Sequence, residues 1–226
     1  MSPKVCASVT GTSLAEIANM VKSAEREGAD LVEVRFDYLS EARPKPRELQ
    51  ALTSLPMIAT CRLPSQGGLF QGHETDRRQM LLDAAASNFN LVDLEMDTPQ
   101  LGQAVQQLRS AGAKIILSWH SPSPLLPDEV KSRYNDMKQT KPDVYKIVMT
   151  AHTISDNLTC LSFVSEASQE ADVVCFCMGP LGAASRILSP VFGGAFTYAS
   201  IVKGREAAPG QLTVSETKKI YRLLGV

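Results

Sequence analysis

The stretch SLAEIANMVKSAEREGADLVEVRFD, residues 13–37, contains a helical pattern that leads directly into a strand pattern. Its first half places apolar residues at positions 14, 17, 18, 21 and 24, which is the spacing of a helix with one buried face. Gly28 stands where a helix C-cap is expected. The second half, ADLVEVRFD, alternates apolar and polar residues as a half-buried strand does. The stretch therefore predicts one helix-then-strand unit of a parallel β-sheet.

The same alternation recurs along the whole chain, where amphipathic segments separate short apolar ones. The eight predicted strands cover 4–10, 29–37, 56–62, 91–96, 114–119, 143–149, 171–177 and 195–201. Eight units in 226 residues average about 28 residues each, which suits a closed barrel, and no GxGxxG motif follows the first strand. We therefore predict a single (β/α)8 TIM barrel domain over residues 1–226. Thr75, Thr98 and Ser155 are the predicted N-caps of three of its helices.

The composition is typical of a protein that binds small molecules. The formal net charge is -1, so no basic surface for nucleic acid or anionic lipid is expected. No apolar run approaches the roughly 18 residues of a membrane span, and the N-terminal MSPKVCASVTG has the pattern of a strand rather than of a signal peptide. We expect a cytoplasmic protein that has neither nucleic acid nor a membrane as a partner.

The cysteines, at positions 6, 61, 160, 175 and 177, are scattered and odd in number. Most lie within apolar runs, which favours buried free thiols over disulfides. Cys175 and Cys177 share one face of a predicted strand, but no second pair of cysteines or histidines stands at ligand spacing. We therefore expect no metal site.

Polar residues stand at the C-terminal ends of the predicted strands, where barrel enzymes carry their chemistry. They are Ser8, Glu33, Arg35, Arg62, Glu95, His120 and Lys146. Glu33 and Arg35 share one face of their strand. Since the apolar residues of the other face belong under the helices, this polar pair is expected to face the barrel interior. A structural ion pair in the core is the alternative interpretation.

Lys146 interrupts the apolar strand DVYKIVMT, residues 143–150. On an edge strand it would be a solvated lysine, but a closed barrel has no edge. Inside a barrel, burial and nearby arginines favour the neutral amine, which is a nucleophile toward carbonyl carbon. His120, on the adjacent strand, would move protons near the carbon that Lys146 attacks. A purely structural role for His120 is the alternative.

Six motifs, taken together, resemble those of type I 3-dehydroquinate dehydratase. They are EVRFD at 33–37, TCR before a GG pair at 60–68, SWH at 118–120, YKIVM at 145–149, SR at 185–186 and APGQ at 208–211. They follow family order over nearly the whole sequence. The resemblance implies a homodimeric lyase of the shikimate pathway, without metal or cofactor, that converts 3-dehydroquinate to 3-dehydroshikimate and water.

The resemblance also implies roles for individual residues. Lys146 would form an imine with the substrate ketone, and His120 would be the general acid and base. Glu33 would orient the histidine and meet substrate hydroxyls, and Arg186 would grip the substrate carboxylate with its planar fork. Further residues match substrate-binding positions of the family, the last of them in a loop that closes over the substrate: Ser8, Arg35, Arg62 and Gln211.

Two positions depart from the family pattern. Gln66 stands where the family usually has glutamate before the GG pair, and Ala207 stands where the lid commonly has serine. Neither is the predicted nucleophile or proton shuttle, so the departures bear on lid closure and substrate affinity. Two other functions are the alternatives: a class I aldolase, which also uses a lysine on strand six, and a catalytically inactive barrel that binds a cyclic acid.

Overall fold

The computed structural model describes residues 2–40 and 45–226, which contain eight parallel strands. The strands are β1 (Val5–Val9), β2 (Leu31–Arg35), β3 (Met57–Thr60), β4 (Leu91–Glu95), β5 (Lys114–His120), β6 (Val144–Thr150), β7 (Val173–Met178) and β8 (Thr197–Ala199). Each strand from β1 to β6 pairs with the next, and β8 pairs with β1. Each predicted segment overlaps one of these strands. The predicted (β/α)8 TIM barrel is confirmed.

The barrel is nearly closed between β7 and β8. A hydrogen bond from the Ala195 amide to Val173 O (2.8 Å) joins the two sides just before β8 begins. β8 is shorter than the predicted span of 195–201 because Ser200 pairs with the segment that precedes the last helix. The Ser200 amide donates to Leu212 O (2.9 Å), and Ser200 O accepts from the Val214 amide (2.9 Å).

In the described part of the chain, eight α-helices cover the strands. They are α1 (Leu14–Arg26), α2 (Pro46–Gln50), α3 (Glu74–Ala85), α4 (Leu101–Ser110), α5 (Pro127–Lys138), α6 (Asp156–Ala167), α7 (Ala183–Leu188) and α8 (Val214–Leu224). Short 3₁₀ helices lie at Phe36–Tyr38, Pro64–Gln66 and Pro180–Gly182. None of the helices within residues 2–40 and 45–226 has the length and apolarity needed to cross a bilayer.

Two of the three predicted helix N-caps are wrong. Helix α3 begins directly after His73, so Thr75 lies in its first turn. Thr98 lies two residues before Gln100, the N-cap of α4, and its hydroxyl accepts from Arg77 (3.0 Å). Ser155 does precede α6, but its side chain makes no capping hydrogen bond. Local preference for a polar cap therefore does not by itself fix the residue at which a helix begins.

Alternation along the strands produces an outer and an inner apolar layer. Val32 and Val34 of β2 face outward and pack with Ile17 and Val21 of α1. The inner layer fills the barrel toward the N-terminal ends of its strands with Cys6, Leu31, Ile58, Ile116, Val144, Val174 and Phe196, and its remaining members, Val148, Phe176 and Tyr198, extend to the C-terminal end. The inward-facing polar residues come later along the same strands. The interior is therefore apolar at one end and polar at the other.

All five cysteines are buried thiols that lie outside any disulfide, as predicted. The sulfurs of Cys160 on α6 and Cys177 on β7 lie 3.6 Å apart in the outer layer. Within residues 2–40 and 45–226, no group of three or more His, Cys, Asp or Glu side chains is placed to hold a metal ion.

Candidate active site

A cavity of about 180 Å³ opens at the C-terminal ends of the strands. All of the site residues predicted from the sequence line it: Ser8, Glu33, Arg35, Arg62, His120, Lys146, Arg186 and Gln211. A larger cavity of about 560 Å³ opens near the N-terminal ends of the strands and contains none of these residues. Side chains spread along the whole chain therefore converge at one place.

Lys146 lies on β6 and points into this cavity, with its side chain 6% exposed. Its Nζ donates to Asp93 Oδ2 (2.8 Å) and lies 4.2 Å from the centre of the Tyr198 ring. Neither partner is among the residues predicted from the sequence. The signal for Asp93 is the alternation in LVDLEM, which places it on the same face of β4 as Glu95. The amine is thus held away from water by one carboxylate and one aromatic ring.

Asp93 joins Lys146 to Arg62. Arg62 Nη2 lies 2.7 Å from Asp93 Oδ2, and Ser118 Oγ donates to Asp93 Oδ1 (2.5 Å). Burial opposes ionisation of Asp93, but the charges of Arg62 and Lys146 outweigh it and hold the pKa of this carboxyl well below its usual range. Arg62 also donates to Ser118 Oγ (2.7 Å) and pairs with Glu95 (3.2 Å). Its guanidinium is therefore engaged within the barrel, and its role in substrate binding stays a prediction.

His120 lies on β5, the strand next to Lys146, and its Nδ1 is buried with no hydrogen-bond partner among the described residues. Burial, and then the positive charges of Arg62 and Lys146, lower the pKa of His120 well below its usual value. The imidazole is therefore neutral at physiological pH and able to accept a proton. Its backbone amide donates to Gln66 Oε1 (2.9 Å), and Gln66 Nε2 donates to Asp97 Oδ2 (3.1 Å). Gln66 thus ties the end of β5 to the loop after β4.

Glu33 lies on β2 and binds hydroxyl groups of the two neighbouring strands. It accepts from Ser8 Oγ (3.0 Å) on β1 and from Thr60 Oγ1 (2.8 Å) on β3. These bonds fix the carboxylate at the edge of the cavity. They do not include His120, so the orientation of the histidine by Glu33 stays a prediction.

Arg35 is held by a bidentate ion pair with Asp37, with Nε to Oδ1 at 2.8 Å and Nη2 to Oδ2 at 2.6 Å. Asp37 also accepts from the Leu69 amide (3.1 Å), which ties the loop before α3 to the end of β2. Asp37 is not among the predicted site residues, although it belongs to the EVRFD motif. Arg35 therefore forms its ion pair with Asp37. The alternative interpretation, an ion pair between Glu33 and Arg35, is not observed, because Glu33 binds hydroxyl groups.

Arg186 lies on α7 with its guanidinium buried above the Phe176 ring, 4.3 Å from the ring centre. Its Nε and Nη2 have no hydrogen-bond partner among the described residues. Burial lowers the pKa of this guanidinium to about 10, so it remains charged at neutral pH. Helix α7 is tied to β7, because Ser185 Oγ accepts from the Cys177 amide (2.9 Å). A fixed, charged fork with free donors suits a planar anion such as a carboxylate.

The loop after β8 covers one side of the cavity. Gln211 Oε1 accepts from the Ala207 amide (2.9 Å), and Gln211 Nε2 donates to Ser8 Oγ (3.5 Å). Gly210 has a φ of +82°, and a Cβ at this position would lie 2.3 Å from Gly179 O. Because only glycine fits so close to the end of β7, the loop depends on Gly210 for its position.

A model of the family described as type I 3-dehydroquinase matches residues 5–226. A 3-dehydroquinate dehydratase of Dehalococcoides mccartyi is 38% identical over 223 residues, which are 98% of this chain and 96% of that protein. One of Methanopyrus kandleri is 35% identical over 224 residues, 98% of this chain and 100% of that protein. The crystal structure of 3-dehydroquinate dehydratase from Geobacillus kaustophilus has a TM-score of 0.91 at 21% identity, over 100% of this chain and 92% of that chain. The chain therefore belongs to the type I 3-dehydroquinase family.

Proposed function

We propose that this chain is a 3-dehydroquinate dehydratase of the shikimate pathway, a hydro-lyase that forms 3-dehydroshikimate through an imine at Lys146. The observation that carries the proposal is one cavity that contains a buried lysine, a neutral histidine and an unpaired arginine. These groups suit three tasks: attack on a ketone, transfer of a proton, and binding of a carboxylate. Membership of the type I family supports this reaction over that of a class I aldolase.

Lys146 supplies the nucleophile. Its neutral amine adds to the carbon of the substrate ketone, and the ketone oxygen leaves as water after it has received one proton from the attacking nitrogen and one from solvent. The product of this step is a cationic imine. Asp93, which lies 2.8 Å from Nζ in the free protein, keeps a negative charge beside that cation and stabilises it.

His120 moves the proton that the elimination requires. The cationic imine withdraws electrons from the adjacent C–H bond, so the neutral imidazole can remove that proton and leave an enamine. The enamine expels the neighbouring hydroxyl group, which leaves as water once protonated His120 has returned the proton. A water molecule then hydrolyses the cationic imine, which releases 3-dehydroshikimate, the free amine of Lys146 and a proton that returns to solvent.

The remaining predicted residues hold the substrate in place. Arg186 binds the carboxylate with its two free donors. Glu33 and Ser8 exchange their mutual hydrogen bond for bonds to substrate hydroxyl groups, and Arg35 lines the same side of the cavity. Gln211 is carried by the loop that covers the cavity, so it closes on the bound molecule.

Turnover of 3-dehydroquinate, followed as new enone absorbance, tests the activity, and borohydride tests the intermediate. Reduction in the presence of substrate should inactivate the protein and add a stable mass to the peptide that contains DVYKIVMT. Lys146→Met should abolish both turnover and labelling. Lys138→Met is the matched control, because Lys138 is 43% exposed and pairs with Glu170; it should change neither.

Three outcomes would contradict parts of this proposal. Turnover with the label on another lysine would remove Lys146 from the role of nucleophile. Binding of 3-dehydroquinate without turnover would favour the catalytically inactive barrel, and cleavage of a carbon–carbon bond in a sugar phosphate would favour the aldolase.

We also propose that the protein is a homodimer and works in the cytoplasm. The resemblance supports a homodimer, and the net charge of -1 agrees with a small-molecule substrate rather than nucleic acid as the partner. The protein would work in the cytoplasm as a single barrel domain. Light scattering measures the oligomeric state directly.

A further inference from the structure

Two aromatic rings lie against the two basic groups to which the proposed reaction assigns the substrate carboxylate and ketone. The guanidinium of Arg186 lies 4.3 Å from the centre of the Phe176 ring, and Lys146 Nζ lies 4.2 Å from the centre of the Tyr198 ring. The two rings meet edge to face, with their centres 6.3 Å apart. Of these two adjacent rings, the one beside the amine carries a hydroxyl group.

The hydroxyl of Tyr198 is buried without a partner. Tyr198 lines the cavity and is 4% exposed, and its Oη has no hydrogen-bond partner among the described residues. A buried hydroxyl that makes no hydrogen bond lowers the stability of a protein. A phenylalanine would place the same ring against Lys146 without that cost. Packing therefore accounts for the ring of Tyr198 but not for its hydroxyl.

The surrounding structure fixes the ring of Tyr198. On β8, Tyr198 pairs with Cys6 of β1, and both side chains belong to the inner layer of the barrel. The ring packs edge to face against Phe196, with the ring centres 5.4 Å apart, as well as against Phe176. Contacts with two other rings hold the hydroxyl in one place before any ligand binds. Such preorganisation is what the stabilisation of a developing charge requires.

The phenol of Tyr198 is a hydrogen-bond donor at neutral pH. Burial and, after it, the charge of Glu33 raise the pKa of Tyr198 well above its usual value, so the hydroxyl keeps its proton. Attack of an amine on a ketone moves the electron pair of the carbonyl bond onto the oxygen, which becomes negative. In the proposed reaction this oxygen lies on the carbon that Lys146 attacks, which places it near the Tyr198 ring.

We propose that Tyr198 is a further catalytic residue, whose hydroxyl donates a hydrogen bond to the ketone oxygen of the substrate while Lys146 attacks the ketone carbon. Because the hydroxyl is bonded to the ring beside Nζ, a hydrogen bond of about 2.7 Å from it reaches an oxygen on that carbon. The proton stays on the phenol oxygen, and the ketone oxygen still leaves as water with one proton from the nitrogen and one from solvent. This inference rests on the proposed function, since it requires a substrate ketone.

Timed trapping of the imine tests this role. The protein is mixed rapidly with 3-dehydroshikimate, which forms the imine without an elimination step, and borohydride is added after set intervals. Mass spectrometry then measures the labelled fraction of the peptide that contains DVYKIVMT. Tyr198→Phe should slow imine formation by about 10²-fold, because the developing charge on the oxygen loses its donor. The final extent of labelling should stay close to that of wild type, because the imine no longer contains the ketone oxygen.

A second tyrosine supplies the matched control. Tyr221 lies buried on α8 outside the cavity, and its hydroxyl donates to Ile187 O (2.9 Å). Tyr221→Phe leaves a buried carbonyl without this donor, so it should lower the midpoint of urea unfolding and leave the rate of labelling unchanged. Tyr198→Phe removes a hydroxyl that has no partner to lose, so its unfolding midpoint should equal or exceed that of wild type. The two variants should therefore show opposite patterns.

An unchanged rate of labelling in Tyr198→Phe would overturn the proposal and leave the hydroxyl as part of the core. A rate and a final extent that fall together would also overturn it, because weaker binding or a disturbed structure gives that result. If the wild-type protein turns over 3-dehydroquinate and Tyr198→Phe labels at the wild-type rate, only this inference fails. If the wild-type protein neither turns over 3-dehydroquinate nor is labelled, the proposed function fails and this inference fails with it.

Discussion

At the residue scale, the site combines burial with incomplete pairing. His120 Nδ1 and two nitrogens of Arg186 are buried without a hydrogen-bond partner among the described residues, whereas Lys146 has a carboxylate partner. A buried polar atom without a partner costs about 1 to 3 kcal/mol, so such atoms are rare in folded proteins. A bound hydroxy acid with a carboxylate would satisfy them. The positions of these unpaired atoms therefore indicate which polar groups a ligand of this cavity must carry.

His120→Ala separates proton transfer from imine formation. Turnover should fall by about 10² to 10⁴ because the general acid and base is lost, yet borohydride with product should still label Lys146 slowly. Steady-state kinetics and peptide mass spectrometry measure the two effects. His152→Ala, at an exposed position after β6, is the control and should retain full turnover. An unaltered rate in His120→Ala would remove this histidine from the mechanism.

At the scale of secondary-structure elements, the loop after β8 is fitted against the end of β7. Two of its glycines, Gly204 and Gly210, have φ values of +85° and +82°. A Cβ at Gly204 would meet nothing within 4 Å, whereas one at Gly210 would lie 2.3 Å from Gly179 O. The two positions thus share backbone conformation and differ in contact, which makes them a matched pair.

Gly210→Ala should displace the loop and weaken substrate binding. We expect KM to rise by roughly tenfold, equivalent to about 1.4 kcal/mol, because Gln211 is carried away from the cavity. Gly204→Ala introduces the same backbone strain without the clash, so its KM should stay near the wild-type value. Steady-state kinetics measures both. Equal effects of the two substitutions would show that strain, rather than the contact with Gly179, controls the loop.

At the scale of the whole molecule, ion pairs connect strands across the mouth of the barrel. Arg62 follows β3, Asp93 lies on β4, Ser118 on β5 and Lys146 on β6, and their side chains form one bonded group. Backbone hydrogen bonds join only neighbouring strands. The group therefore adds side-chain links between strands that are not adjacent.

Asp93→Asn should lower the free energy of unfolding at pH 7 by about 3 to 5 kcal/mol, because Arg62 and Lys146 then lose a buried counter-charge. The pKa of Asp93 is lower in the folded protein than in the unfolded chain, so its contribution is complete above about pH 5 and is lost as the pH falls. Urea unfolding between pH 7 and pH 3 should therefore show a steeper loss for wild type than for Asp93→Asn.

The control for this prediction is Asp83→Asn, at an exposed position on α3, which should follow the wild-type curve. Parallel curves for wild type and Asp93→Asn would contradict the prediction. They would mean that other carboxylates dominate the acid sensitivity of the barrel.

The sequence by itself determined the barrel and the direction of its polar side chains. The alternation in VEVRF and VYKIV depends only on adjacent residues, because side chains of a strand point to opposite faces in turn. The pattern therefore predicts that Glu33, Arg35 and Lys146 face the interior, and this prediction requires no knowledge of their contacts. The cavity also follows from the sequence, since parallel strands of a barrel end at the same face.

Only the tertiary structure decided which charges touch each other. Asp93 and Lys146 are 53 positions apart along the chain, and Arg77 reaches Glu95 from a helix. Thr98, which local preference assigns to a helix cap, instead accepts from Arg77. Such contacts depend on how far a helix lies from the strand beneath it and on how strands are arranged around the barrel. Local periodicity gives neither of these, so the ion pairs that join Lys146, Asp93 and Arg62 are visible only in the folded chain.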